Sequence, residues 1–336
     1  MTNGISFLGQ SQAQQSRLLS LQKTMTDLQR QSTTQKKYEN MSGFGAASKS
    51  VMRYRTDISN LTTYTNNIDL ASNRIKIMNT AMDSARKAGE DLISAIGVQV
   101  IGGEVDIESI RNVAKSSLDF LQTLINTEAD GRYVFAGSAV ETPPLANRTA
   151  VGMQTQSQMT NWLNGTYSTA QVINNIKNMS DTAVGFDPSM SAAGPVSIRV
   201  DQDVEIDYAV VAPDNGFDKL MTALSMAANL KIPDQSTDVP DMAQFTELLL
   251  AVEDLARTGV KEITSANSSL SAKYAVAENL KDQQNADKAT LQNLLDNAEN
   301  ADTTEVLIKL QYTQVQLEAA YQVTSSVSQL SLVNFI

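Results

Sequence analysis

The chain has 336 residues, with 26 Lys and Arg against 37 Asp and Glu, so its formal net charge is −11. A chain this acidic is a poor general ligand for nucleic-acid phosphates. It contains no Cys and no His, which excludes disulfides, thiolate metal sites and nucleophile–His dyads. Only 5% of residues are aromatic, and the hydrophobic share is 42%. That balance suits thin helix bundles better than a thick globular core.

Residues Leu18, Leu21, Met25 and Leu28 follow the three-and-four spacing of a heptad seam. Ser42-Gly43-Phe44-Gly45 then reads as a break. A second helix carries Ile58, Leu61, Thr65, Ile68, Ser72, Ile75, Asn79 and Met82 on one seam. An overlapping seam runs through Met78, Ala85, Gly89, Leu92 and Ile96, with a stop expected at Gly97 and Gly102-Gly103. Helical spacing resumes at Ile107 and is expected to end at Asp130-Gly131, Gly being the favoured residue just past a helix.

From Arg132 the texture changes. Val196, Ile198 and Val200, then Val204, Ile206, Tyr208 and Val210, alternate with polar residues. Period two predicts two half-buried strands, with a hairpin turn near Asp201-Gln202-Asp203. The acids Asp201, Asp203, Glu205 and Asp207 invite a calcium reading. Ile206 stands where an EF-hand needs Gly, however, so a solvated strand face is preferred and no metal is expected.

Helix returns at Phe217 to Leu230. Asp241-Met-Ala-Gln244 has the form of a capping box and opens a helix expected to run unbroken from Met242 to Asn300. Asp302-Thr-Thr-Glu305 opens a last helix, with its seam at Val306, Leu310, Thr313, Leu317, Ala320, Thr324 and Val327. An apolar tip follows, from Leu330 to Ile336 and including Phe335.

The fold class expected is mainly α: a long coiled-coil bundle formed by both termini, with a small β-containing inserted domain. Residues 1–45 and 301–336 form the paired terminal helices, 46–140 and 215–300 the helical rod, and 141–214 the insert. Leu18, Leu21, Met25, Leu28, Val306, Leu310, Leu317, Val327, Leu330 and Phe335 are the candidate assembly residues, because an apolar tail on a thin helix pair has little of its own chain to cover it. No Walker or Rossmann loop is present, so no enzyme activity and no cofactor are expected. No apolar run is long enough to cross a membrane. No signal-peptide pattern opens the chain.

Four passages resemble the flagellin superfamily, and within it the hook–filament junction branch. They are the Gln-rich first helix with Thr33-Thr-Gln-Lys-Lys37; Ile58 through Met78; Gly131-Arg-Tyr-Val-Phe-Ala-Gly-Ser138; and the final helix from Thr304. Met41-Ser-Gly-Phe-Gly-Ala-Ala-Ser48 departs from the family's Pro-Ser-Asp-Asp-Pro segment. The resemblance implies export without a cleaved signal, an extracellular place in the bacterial flagellum, and self-assembly into a ring or helical layer. The partners it implies are hook-associated protein 1, flagellin and a type III export chaperone, with no nucleic acid and no membrane insertion. A filament flagellin, or a non-flagellar secreted coiled-coil structural or adhesion factor, are the alternatives.

Overall fold

A computed structural model describes the backbone of residues 3–102 and 106–333, and the side chains of residues 9, 11–97 and 106–326. The chain is mainly α-helical, with two small two-stranded sheets. It divides into two units. Unit 1 is Met1–Thr62 with Asn285–Ile336, and unit 2 is Thr63–Gln284.

In unit 1, α1 (Asn3–Thr34) packs on α9 (Thr303–Val333). A 3-10 turn at Met41–Ala47 separates α1 from α2 (Ser48–Gly102). The break expected around Ser42-Gly43-Phe44-Gly45 falls inside that turn. Gly45 has a positive φ of 53° there, a conformation that only Gly adopts at little cost.

Two helices run through both units. The first is α2; the second is α8 (Met242–Glu299), 58 residues long, about 87 Å at 1.5 Å per residue. The capping box forms as its residues imply: the Gln244 amide donates to Asp241 Oδ1 at 2.8 Å, and Gln244 Oε1 accepts from the Asp241 amide at 2.9 Å. Gly97 does not stop α2, which continues to Gly102. One interior Gly costs a helix only about 1 kcal/mol, less than the fully buried Leu92 and Ile96 return by packing.

Unit 2 holds the main core. Helix α3 (Ile107–Ile125) is capped by Asp106, which accepts from the Ser109 amide. It ends five residues before Asp130-Gly131. That dipeptide is instead the turn of a hairpin joining β1 (Glu128–Ala129) to β2 (Arg132–Tyr133). Both turn residues have positive φ, 52° and 70°, as a two-residue hairpin turn twisting with its strands requires. Gly131 thus has the left-handed conformation that a residue just past a helix end often takes, but the helix stop expected there is a hairpin turn instead.

The segment expected to be a β-containing insert holds the expected hairpin and, before it, three helices. Helices α4 (Ala150–Leu163), α5 (Thr169–Lys177) and α6 (Asp181–Val184) precede the hairpin. The hairpin joins β3 (Ser197–Arg199) to β4 (Glu205–Asp207), with Ile198 opposite Ile206, and it turns through Asp201-Gln202-Asp203. Its four acids face solvent.

Helix α7 (Phe217–Ala228) is the centre of this unit. Every residue except Asp218 and Lys219 is buried. It packs on α3, α4, α5 and α6, so Val151, Met159, Trp162, Val172 and Ile176 share one continuous core with Leu220, Leu224 and Phe245. The Phe135 and Phe217 rings lie 5.2 Å apart.

Asp218 lies at the start of α7, and burial pushes its carboxyl up to about 6. Asp181 of α6 and Glu262 of α8 add to the rise, and the neighbouring Lys219, itself paired with Glu262, opposes it. Asp214 faces Asp181. Arg111 of α3 reaches the far end of α7, at the Ala228 carbonyl, and Lys177 of α5 pairs with Asp254. A carboxyl raised in the fold is more easily protonated there than in the unfolded chain. Its contribution is therefore greatest below the unfolded pKa near 3.8 and is lost as pH rises through about 6. Asp218→Asn should stabilise unit 2 at pH 7.5, by about 2 kcal/mol after allowance for partial exposure, and should add nothing at pH 3.5. Chemical denaturation at the two pH values measures this, and equal effects at both would refute it.

Candidate assembly interface

The α1/α9 pair is antiparallel and thinly covered. Gln22 Nε2 donates to the Tyr321 hydroxyl at 2.7 Å. Leu21 shares a groove with Ala320 and Val323, and Leu28 shares one with Val306 and Thr313. Among the described side chains of these two helices, only Leu28, Val306 and Thr313 are buried. Leu18, Leu21, Met25, Leu310 and Leu317 are half-buried. The two heptad seams thus face each other. Val327 and Leu330 belong to the α9 backbone, with side chains outside the described residues, and Phe335 lies outside them altogether.

A second apolar seam was not singled out in the sequence. Ile308, Tyr312 and Val315 follow heptad spacing two residues beyond the inner seam, and they are 63%, 66% and 63% exposed. Val323 continues the stripe, more than half exposed. At 100° per residue, a shift of two positions moves a side chain to nearly the opposite face of a helix. Helix α9 therefore carries apolar residues beyond its inner seam; Ile308 and Tyr312 border the groove that also holds Leu28 and Tyr38, and α1 leaves them largely exposed. The signal was available: apolar residues at 308, 312 and 315 in a helix with only Glu305, Lys309 and Glu318 charged.

The base of the pair is a built polar joint. Glu299 is 4% exposed, and its carboxylate takes Arg55 at 2.7 Å and Lys36 at 3.2 Å. Arg55 first, then Lys36, holds it below its ordinary range against the opposing effect of burial. The Lys37 amide donates to the Glu299 carbonyl, and the Ala301 amide to the Gln35 carbonyl. Lys36 Nζ also reaches Asn300 Oδ1 at 2.6 Å. Gln35 adopts a φ of 56° to make this turn. Thr33-Thr-Gln-Lys-Lys37 therefore ties the end of α1 to the α8–α9 connection.

Charge is unevenly divided. Unit 1 holds ten Lys and Arg against nine Asp and Glu, and unit 2 holds sixteen against twenty-eight. The near-neutral unit is the one with the exposed apolar seam. Like-charge repulsion, which keeps acidic surfaces apart, is thus concentrated in unit 2.

The Gly131–Ser138 passage builds a corner of unit 2. Phe135 is fully buried, and Ala136 bridges to Val211. Gly137 has a φ of 55°, and a Cβ there would stand 3.0 Å from the Gly194 carbonyl. Ser138 Oγ accepts from the Gly194 amide at 2.8 Å. These are packing roles. Among the described residues no cluster of three or more acidic side chains is placed to hold a metal ion, and no helix is long and apolar enough to cross a membrane.

No family model and no curated protein matches this chain. Solved structures do show a likeness. A protein described as a flagellar hook-associated protein from Vibrio parahaemolyticus aligns with a TM-score of 0.48 and 12% identity, over 75% of this chain and 97% of its own. FlgL of Bacillus cereus aligns with a TM-score of 0.44 and 12% identity, over 73% and 98%. Both scores lie below 0.5, and neither protein bears on the function of this one.

Proposed function

We propose that this chain is an axial structural protein of the bacterial flagellum, resembling hook-associated protein 3, and that it joins hook-associated protein 1 to the flagellin filament. The observation that carries assembly is the second apolar seam of α9, left exposed in a near-neutral unit. The sequence resemblance, Gly131-Arg-Tyr-Val-Phe-Ala-Gly-Ser138 above all, supports the flagellar placement. Residues 1–45 and 301–336 are the assembly part. Residues 46–140 and 215–300 are the rod, whose core residues 141–214 share. An array built by repeating one contact between different faces needs a heterologous, non-closing interface. The two seams of α9 supply different surfaces: the inner one takes α1, and the outer one, left largely exposed, takes a neighbour. The extracellular location, export without a cleaved signal and a dedicated export chaperone belong to the same proposal.

Tyr312→Asp tests it. The side chain is largely exposed in the single chain, so its loss removes little from the monomer. Circular dichroism and melting of the monomer should be unchanged, while assembly onto isolated hooks and acceptance of flagellin should fail. Normal capping by this variant would overturn the proposal. Deleting the gene separates the alternatives. A junction protein leaves bare hooks with flagellin secreted as monomer, a sole flagellin leaves no such pool, and a non-flagellar factor leaves filaments intact.

A further inference from the structure

Beside the apolar seam of unit 2, helices α2 and α8 carry a second line of contacts. Asp69 pairs with Lys281 Nζ at 2.5 Å. Ser72 Oγ donates to Glu278 Oε1 at 2.7 Å. Lys76 Nζ stands 5.5 Å from the centre of the Tyr274 ring. Asn79 Nδ2 donates to Ser271 Oγ at 3.3 Å, and Asn267 Nδ2 donates to Asp83 Oδ1 at 3.1 Å. Each step of three or four residues up α2 is matched by an equal step down α8, so all five pairs report one antiparallel register. On α2 these residues directly follow the buried Ile68, Ala71, Ile75, Met78 and Met82. An apolar heptad line and a polar one thus run side by side.

The apolar line specifies register weakly, because small and medium aliphatic residues recur along both helices and a slip of one heptad leaves most of them facing apolar partners. The polar line does not tolerate a slip. Slipped one way, Lys76 meets Lys281, Asn79 meets Glu278 and Asp83 meets Tyr274. Slipped the other way, Asp69 meets Tyr274, Lys76 meets Asn267 and Asp83 meets Val260. The first slip exchanges the native ion pair for Asp69 opposite Lys288 but sets Lys76 against Lys281; the second loses the ion pair and sets Asp83 against Val260; both lose the cation–ring contact.

The rungs themselves are poor stabilisers. Asp69 is half exposed, and exposed ion pairs contribute little. Asn79 Oδ1 and Asn267 Oδ1 are buried without a partner, which counts against stability. A line of contacts that stabilises poorly but mismatches in every slipped register serves specificity.

We infer that the Asp69–Lys281, Ser72–Glu278, Lys76–Tyr274, Asn79–Ser271 and Asp83–Asn267 ladder is a register lock that holds α2 and α8 against one-heptad slippage. A competing determinant is the close approach at Gly89, where a Cβ would lie 2.3 Å from Val260 Cγ2.

The absence of Cys makes disulfide trapping in the full chain a direct test. Asn79→Cys with Ser271→Cys reports the native register. Asn79→Cys with Glu278→Cys, or with Thr264→Cys, reports the two slips. With the rest of the ladder intact, the native pair should oxidise at least tenfold faster than either slipped pair. After Asp69, Ser72, Lys76 and Asp83 are all changed to Ala, at least one slipped pair should close within threefold of the native rate. Slipped pairs that stay silent in that background, with the helical signal retained, would assign the register to the Gly89 crossing and overturn the lock. Slipped pairs that close freely with the ladder intact would overturn it too. Should the fourfold variant lose its helical signal, Lys76→Gln alone removes the like-charge clash, together with the cation–ring contact, and leaves the Asp69–Lys281 pair in place. The 79/278 pair must then gain, and no gain refutes the inference.

Discussion

Leu317→Asp is expected to abolish assembly while leaving unit 2 folded as in the parent chain. Leu317 lies in the inner seam of α9, half-buried, at the level of α1 between Leu21 and Leu28. In a single chain the pair is shallow enough for a charge there to reach water by fraying. Packed among neighbours the same charge is buried without a partner, at about 3–5 kcal/mol per contact, a loss of roughly a hundredfold to several thousandfold in affinity. Glu318→Ala, one residue on and exposed, is the control and should change little. Monomer melting and the capping of isolated hooks decide the matter. Normal capping would remove the inner seam from the assembly surface. A fall in the melting of unit 2 would make the terminal helices part of the monomer's own core.

Trp162→Ala should cost unit 2 about 3–5 kcal/mol. This single Trp is 1% exposed. Its Nε1 donates to Thr169 Oγ1 at 3.1 Å, and its ring stands 6.5 Å from Phe245. The substitution opens a large cavity where α4, α5 and the start of α8 meet, and it orphans the buried Thr169 hydroxyl. Trp162→Phe keeps most of the volume and should cost less than half as much. Urea denaturation followed by helical signal measures both. A loss under about 1 kcal/mol for Ala would mean that α4 and α5 sit on unit 2 without contributing to its core.

The two predictions rest on different kinds of legibility. The seams of α1 and α9 could be read directly, because a heptad is a local pattern and the pairing of the two ends follows from their matching lengths and polarity. The Asp241–Gln244 box and the unbroken α8 were equally local. The β3–β4 hairpin showed as strict alternation over five residues before an acidic turn and seven after it. Helices α4 to α6 did not show in the same way. They are short and rich in Gln, Asn, Ser and Thr, and α4 buries only Val151, Thr155, Met159 and Trp162. Thr155 looks polar in sequence, yet it is fully buried, where it bonds the Val151 carbonyl and Ser225 Oγ. Its partner lies seventy residues away, and no local pattern announces it.

Composition and periodicity alone established that the protein is a long helical chain with paired ends, without the side chains for His- or Cys-based chemistry. Those properties depend on residue type and on neighbours within a turn or two, and both are written along the sequence. Tertiary structure alone decided the rest. It turned Asp130-Gly131 into a hairpin, because a left-handed Gly serves a helix end and a tight turn equally well and the following strand makes the choice. It joined residues 141–214 to the core, because α7 is apolar all round and needs covering on every side. It also left the outer seam of α9 exposed: periodicity shows that a face is apolar, and only the positions of the other helices show whether anything in the chain covers it.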